Sequence, residues 1–163
     1  MTGSQTDIRL ALEATGEPFE IINCDPDLAD TARFCEHYGY APGESANTIL
    51  VRTKTGETRF VACLVLATTR LDVNKRVRKL MGARKVSFAG ADETRELTGM
   101  EPGGVTPFGL PRNLPLWIDG RIIDCERVIL GGGGRDTKII VRPTALGSLV
   151  NAEFVSDLAV DAM

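Results

Sequence analysis

Residues 99–115 hold four glycines (Gly99, Gly103, Gly104, Gly109) and four prolines (Pro102, Pro107, Pro111, Pro115). No helix or central strand survives that density. Proline lacks the N–H that both need, and glycine carries chain freedom that a regular element must freeze out. The chain must therefore fold as elements gathered around a long irregular crossing near its middle. Loops of this length inside a compact domain are, as a rule, functional or disordered. Val105, Phe108 and Leu110 give this one apolar anchors, which argues against disorder. Prolines fix its shape, and glycines let backbone amides approach a ligand, so it suits a carbonyl or a developing oxyanion. An elaborate surface crossover fits the same composition equally well.

The flanks read as short helices and hairpins. Ile8, Ala11, Leu12 and Thr15 share helical spacing, with Gly16 as the stop. Residues 19–22 form a strand. Residues 28–38 form a helix with Leu28, Ala32, Cys35 and Tyr38 inward and Gly39 at its end. Residues 48–52 and 59–67 make a hairpin turned at Gly56, and the apolar run 60–66 should be a central strand covered on both faces. Asp72 caps a helix whose stripe is Val73, Val77, Leu80 and Met81. A strand over 85–88 and a helix over 92–97 lead into the loop. Beyond it the sequence predicts a strand over 116–118, a hairpin turn at Asp119-Gly120, and strands 128–130 and 138–141 joined through Gly131, Gly132, Gly133 and Gly134. A helix from Pro143, an edge strand over 153–155 and a frayed tail beyond Asp157 complete the reading. Helices mixed with hairpins, without strict alternation, predict an α+β fold on a mixed, mostly antiparallel sheet, in one domain spanning residues 1–163.

Composition removes several classes of function. The chain has 163 residues, 43% hydrophobic and 25% charged, with no apolar run long enough to span a membrane. The polar start, from Met1 to Asp7, lacks the pattern of a secretory signal, so a cytoplasmic location is expected. One histidine, His37, and four unclustered cysteines (Cys24, Cys35, Cys63, Cys125) speak against a zinc site and a Ser-His-Asp triad. No metal or cofactor is expected. His37 reads as a surface helix residue. A net charge of −3 does not advertise nucleic-acid binding, yet Arg70, Lys75, Arg76, Arg78, Lys79, Arg84 and Lys85 form a local basic patch. On charge alone that patch is a solvated helix face. Gly131 to Gly134 resembles a phosphate cradle only superficially. Arg135-Asp136-Thr137 follows where Gly-Lys-Ser/Thr would be needed, and the next element is a strand.

The run Glu96-Leu97-Thr98-Gly99-Met100-Glu101-Pro102-Gly103-Gly104-Val105-Thr106-Pro107-Phe108-Gly109-Leu110-Pro111 closely resembles the signature of the YbaK and prolyl-tRNA-synthetase-associated editing domains. Leu71-Asp72, Gly82-Ala83, Lys85-Val86, Asp30-Thr31-Ala32, Tyr38-Gly39 and Lys138-Ile139-Ile140 agree with other parts of that family, so the likeness runs from about residue 25 to 146. It implies a barrel-like mixed sheet flanked by helices, and hydrolysis of the ester joining a wrongly attached amino acid to tRNA. Within the family's G-x-x-x-P loop, here 103–107, the amides of Gly103 and Gly104 would hold the aminoacyl carbonyl. Thr31, Val105, Thr106, Pro107, Phe108, Gly109, Gly132 and Gly133 would line the substrate site. A tRNA hydroxyl or a water would assist attack, and no metal is required. With the family granted, Lys75, Arg76, Lys79 and Arg84 become contacts for the tRNA acceptor stem. The chain carries no synthetase region, so a free, trans-acting deacylase or one docked to an aminoacyl-tRNA synthetase is expected.

One position departs from the pattern. Family members resemble one another in a Lys-Thr-φ-φ-Val strand (φ apolar), whereas this chain reads Asn47-Thr48-Ile49-Leu50-Val51. Asparagine keeps hydrogen-bonding ability and loses the charge. Three arrangements stay open: catalysis by Asn47, the amides and a tRNA hydroxyl; a cation from another residue; or a catalytically silent module that binds tRNA or an aminoacyl group. A hydrolase of another small ester or thioester is a further alternative.

Overall fold

The computed structural model describes residues 5–162; part of the polar N-terminal segment, Met1 to Ser4, lies outside them. The elements in chain order are α1 (Gln5–Ala14), β1 (Phe19–Asn23), α2 (Thr31–Tyr38), β2 (Ala46–Thr53), β3 (Phe60–Leu66), β4 (Thr69–Leu71), α3 (Arg78–Met81), β5 (Val86–Phe88), α4 (Ala91–Thr98), β6 (Leu116–Asp119), β7 (Val128–Gly131), β8 (Thr137–Val141), α5 (Pro143–Gly147), β9 (Ala152–Val155) and β10 (Ala159–Asp161). The architecture is α+β. A five-stranded sheet runs β5-β2-β3-β6-β9, a three-stranded sheet runs β1-β8-β7, and β10 pairs with β4. Antiparallel pairings dominate, with β3-β6 and β6-β9 parallel. Among the described residues the sheets do not close into a barrel; a parallel bridge, Ser45 to Ile129, joins the two larger ones beside the start of β2.

Burial explains the arrangement. Every residue of β3 from Val61 to Leu66 is buried, as its unbroken apolar run requires of a central strand. Ala62, Leu64 and Leu66 face the main core with Ile8, Leu12, Phe108, Ile118 and Ile139, while Val61, Cys63 and Val65 face a second core with Val77, Met81 and Leu158. The β2-β3 turn is closed by Thr53, whose hydroxyl donates to Glu57 O and accepts from Arg59 N.

Several expectations from sequence change. The helix expected from 28 to 38 is a 3-10 turn (Pro26–Leu28) followed by α2, and its buried face is Phe34 and Cys35, with Ala32 exposed. Two aromatic neighbours hold Phe34: Tyr38 at 5.0 Å and Tyr40 stacked at 5.4 Å between centroids. The helix after Asp72 begins as a π turn (Val73–Val77) and continues as α3, which rotates Leu80 out to solvent and leaves Val77 and Met81 buried. Asp119-Gly120 is not a hairpin turn. A 3-10 turn (Gly120–Asp124) follows β6, because β6 lies parallel to both neighbours and must cross over at its end. The tail beyond Asp157 is ordered: Leu158 and Ala159 are buried, and β10 pairs with β4, a strand the sequence did not suggest.

Candidate functional site

The glycine-rich crossing and the glycine turn between β7 and β8 lie backbone against backbone. Gly133 N–H donates to Gly104 O at 2.6 Å and Glu101 N–H donates to Gly133 O at 2.9 Å. A Cβ on Gly104 would collide with the Gly134 carbonyl, and one on Gly131 would lie 2.7 Å from Gly104 O. The glycines are thus needed for loop-on-loop packing. The second run packs against the first and walls it.

Between this double wall, the Ala46–Leu50 part of β2 and the start of α2 lies a cavity of about 380 Å³. Asn47 and Thr48 of β2, Thr31 at the first turn of α2, and Gly103 and Val105 of the loop all line it. Thr31 Oγ1 donates to Asn47 Oδ1 at 3.1 Å, which turns the Asn47 carbonyl oxygen toward α2 and leaves its NH2 without a partner among the described residues. Gly103, at φ +85, presents an N–H with no acceptor among the described residues, whereas Gly104 N–H is donated to Glu101 O at 2.8 Å. Of the two loop amides expected from sequence, only that of Gly103 is left for a ligand. Ala29, Ala46, Ala89 and Leu50 give the wall an apolar part, beside Asp30 and Thr94.

The other expected site residues fall elsewhere. Thr106 and Phe108 are fully buried, Phe108 in the main core, and neither lines the cavity. Pro107 and Gly109 line a separate depression beside α1 and α5. Gly132 and Gly133 are buried in the loop stack, and Gly131, the last residue of β7, is the glycine of that run that lines the cavity. His37 is exposed on α2, its ring edge-on to Tyr38.

Sequence reasoning missed two cations at this cavity. Arg135 leans over Gly103 and donates through Nη2 to Pro26 O at 3.3 Å. Lys138 lines the same cavity, is 7% exposed, donates to Ala29 O at 2.8 Å and stands 5.2 Å from the Phe34 ring centroid. Burial pulls its pKa below the ordinary lysine value. A signal was present. In a strand, i and i+2 share a face, and Lys138 shares one with Ile140 inside an apolar run.

At the mouth stands Phe88, 59% exposed although it is aromatic. It also lines the adjoining groove that holds Arg70 and Lys75. Lys75 and Lys79 are exposed, while Arg76 is tied down, its Nε and Nη2 donating to Ser156 O at 3.1 and 3.0 Å. Arg84 is exposed just after α3. Among the described residues no cluster of three or more His, Cys, Asp or Glu could hold a metal, and no helix is long and apolar enough to cross a membrane.

The fold and cavity define a mixed-sheet domain with a small half-apolar pocket walled by a rigid glycine-proline loop. The model of the aminoacyl-tRNA editing domain matches residues 25–149, and the chain belongs to that family. Among its relatives is EbsC of Enterococcus faecalis, provisionally named a Cys-tRNA(Pro)/Cys-tRNA(Cys) deacylase, 28% identical over 73% of this chain and 71% of that protein. A proline–tRNA ligase of Bacillus licheniformis is 37% identical over 58% of this chain, a match that spans only 16% of the ligase. A crystal structure described provisionally as a trans-editing enzyme for prolyl-tRNA synthetase superposes with TM-score 0.81 over 99% of both chains at 23% identity, which speaks for the fold alone.

Proposed function

We propose that this protein is a trans-acting deacylase that hydrolyses the ester of mischarged tRNA in translation quality control. The observation that carries the reading is the cavity itself. In a member of the aminoacyl-tRNA editing family, it brings the free Gly103 amide, the Asn47 amide and Thr31 to one half-apolar space. A site of this kind suits a short aminoacyl group whose carbonyl meets fixed donors and whose side chain meets Ala46, Leu50 and Val105. The names carried by relatives, a tRNA deacylase and proline–tRNA ligases, point to the same substrate class.

The tRNA would enter past Phe88. Its 3′ end would run in the groove with Arg70 and Lys75, with Lys79 and Arg84 beyond, where ammonium and guanidinium groups meet backbone phosphates. The exposed Phe88 ring offers a platform for an unpaired base at the cavity mouth. Cytoplasmic work on tRNA, free or docked to a synthetase, is part of this reading.

The test is incubation with a panel of tRNAs carrying alanine, cysteine or serine on proline and other acceptors. Release of amino acid well above the spontaneous rate is expected from at least one. No release at high protein concentration would defeat the enzyme reading. It would favour a silent module that binds the aminoacyl end, the reading that a neutral Asn47 on the β2 wall keeps in play.

A further inference from the structure

Lys138 is a costly residue to place where it is. A lysine inside a protein loses hydration, and burial here drives its pKa down. A methionine or leucine could fill the same space on the inner face of β8 beside Ile140. The ammonium is supported from one side only. It donates to Ala29 O at 2.8 Å and faces the Phe34 ring at 5.2 Å, which accounts for one of its three N–H donors. The other two have no partner among the described residues, and Lys138 lines the cavity together with Asn47, Thr31 and Gly103. Around it are Asp30 on the lip, the thiols of Cys24 and Cys35, and Arg135 across the glycine turn. No carboxylate forms a salt bridge with it among the described residues.

Building on the deacylase reading, we propose that Lys138 is a catalytic residue of this cavity, its ammonium holding the ester carbonyl oxygen and the negative charge that grows there during hydrolysis. In the reaction, water oxygen bonds to the acyl carbon and the bond from that carbon to the ribose oxygen breaks. The ribose oxygen takes a proton, and the amino acid leaves as a carboxylate with release of the other proton. Lys138 is not consumed. It sits in a low-dielectric wall, where a fixed cation is worth far more than in water. The polar side chains of the β2 wall, Asn47 and Thr48, are neutral, so a positive charge has to come from β8 or from the glycine turn. Arg135 is the competing cation; it is exposed and tied to Pro26 O, a place suited to a phosphate at the mouth.

Lys138→Gln separates charge from support, because glutamine retains a donor for Ala29 O and removes the cation. On the best substrate of the mischarged-tRNA panel, kcat should fall about 100-fold in Lys138→Gln, with KM and the melting temperature little moved. Arg135→Gln should mainly raise KM. The Asn47→Lys/Lys138→Gln double variant, which moves the cation from β8 to β2 within the same cavity, should regain at least about tenfold over Lys138→Gln. Retention of wild-type kcat by Lys138→Gln would overturn the assignment. So would a loss that tracks the unfolded fraction and is not recovered in the double variant, or a kcat loss in Arg135→Gln alone. Should Lys138→Gln fail to fold, Lys138→Met with and without Asn47→Lys makes the same comparison. A wild-type protein inactive on every tRNA would instead remove the deacylase reading and this one with it.

Discussion

Gly104 is where a single methyl group has the greatest consequence. The added Cβ would fall on the Gly134 carbonyl, a backbone atom that cannot swing aside as a side chain can. Gly104→Ala should therefore push apart the two loops that wall the cavity and cost about 2–3 kcal/mol in urea unfolding, with loss of any deacylase activity. Gly43→Ala is the control, since nothing lies within 4 Å of its Cβ direction and its φ is not positive, and it should be close to neutral. Cys63 makes a separate prediction. It is fully buried, and burial pushes its thiol up to about 12 from the ordinary 9.0. The unfolded chain releases this proton from about pH 9 upward while the folded chain keeps it. The contribution is thus intact below 9 and is lost as pH rises toward 12, by about 1.4 kcal/mol for each pH unit crossed. Urea midpoints of wild type should fall between about pH 8 and pH 10 more steeply than those of Cys63→Ala. Equal slopes would remove Cys63 as the cause.

Among elements, the tail tests how β10 is held. Asp119, at the end of β6 and fully buried, accepts from the backbone N–H groups of Leu158 at 3.1 Å and Ala159 at 3.4 Å. Its second oxygen has no hydrogen bond, with Arg121 Nε 4.0 Å away. Asp119→Ala leaves two buried N–H groups unpaired and should cost roughly 2–3 kcal/mol, with amide exchange accelerated first in β10 and β4. The same residue shows what the sequence could and could not disclose. Asp-Gly is a strong local turn signal, but local chemistry does not say that β6 runs parallel to both neighbours, and that non-local pairing forces a crossover in place of a hairpin. The β2-β3 hairpin, by contrast, is local and its apolar run unambiguous, so its boundaries were legible to within two residues. The glycine-proline loop announced itself by composition. The glycine run between β7 and β8 was legible as a hairpin turn at the site, but not that Gly131 is the glycine reaching the cavity, because glycines chosen for close backbone approach look like glycines chosen for a turn. Thr31 and Asn47 stand 16 residues apart, and only the folded chain shows their hydrogen bond.

At the scale of the whole molecule, net charge and local field point in opposite directions. The chain carries −3 overall, yet the side of the cavity mouth beyond Phe88 presents Arg70 and Lys75 in one groove and Lys79 nearby. Phosphate contacts depend on charge within a Debye length, about 8–10 Å at ordinary salt, so the distant carboxylates do not cancel them. Asp72 in the same groove weakens the field only in part, since its Oδ1 accepts from Lys75 N and caps the helical turn. Arg76 is a poor choice for mutation, because its guanidinium secures Ser156 O and its loss would disturb the tail. The informative variant is Arg70→Glu/Lys75→Glu. Neither side chain has a protein partner among the described residues, so the fold should be unaffected, with a melting temperature close to wild type. If the tRNA 3′ end crosses this groove, affinity should drop, and the slope of log affinity against log salt should become shallower by roughly 1.5 for two lost phosphate contacts. Binding titrated between about 50 and 200 mM salt reads both quantities. Phe88→Ala should also weaken binding, by about 1–3 kcal/mol, while leaving the salt slope unchanged, because stacking releases no counterions. A double variant with wild-type affinity and slope would move the tRNA path off this face, and a Phe88→Ala variant with altered slope would show that the ring does not act by stacking.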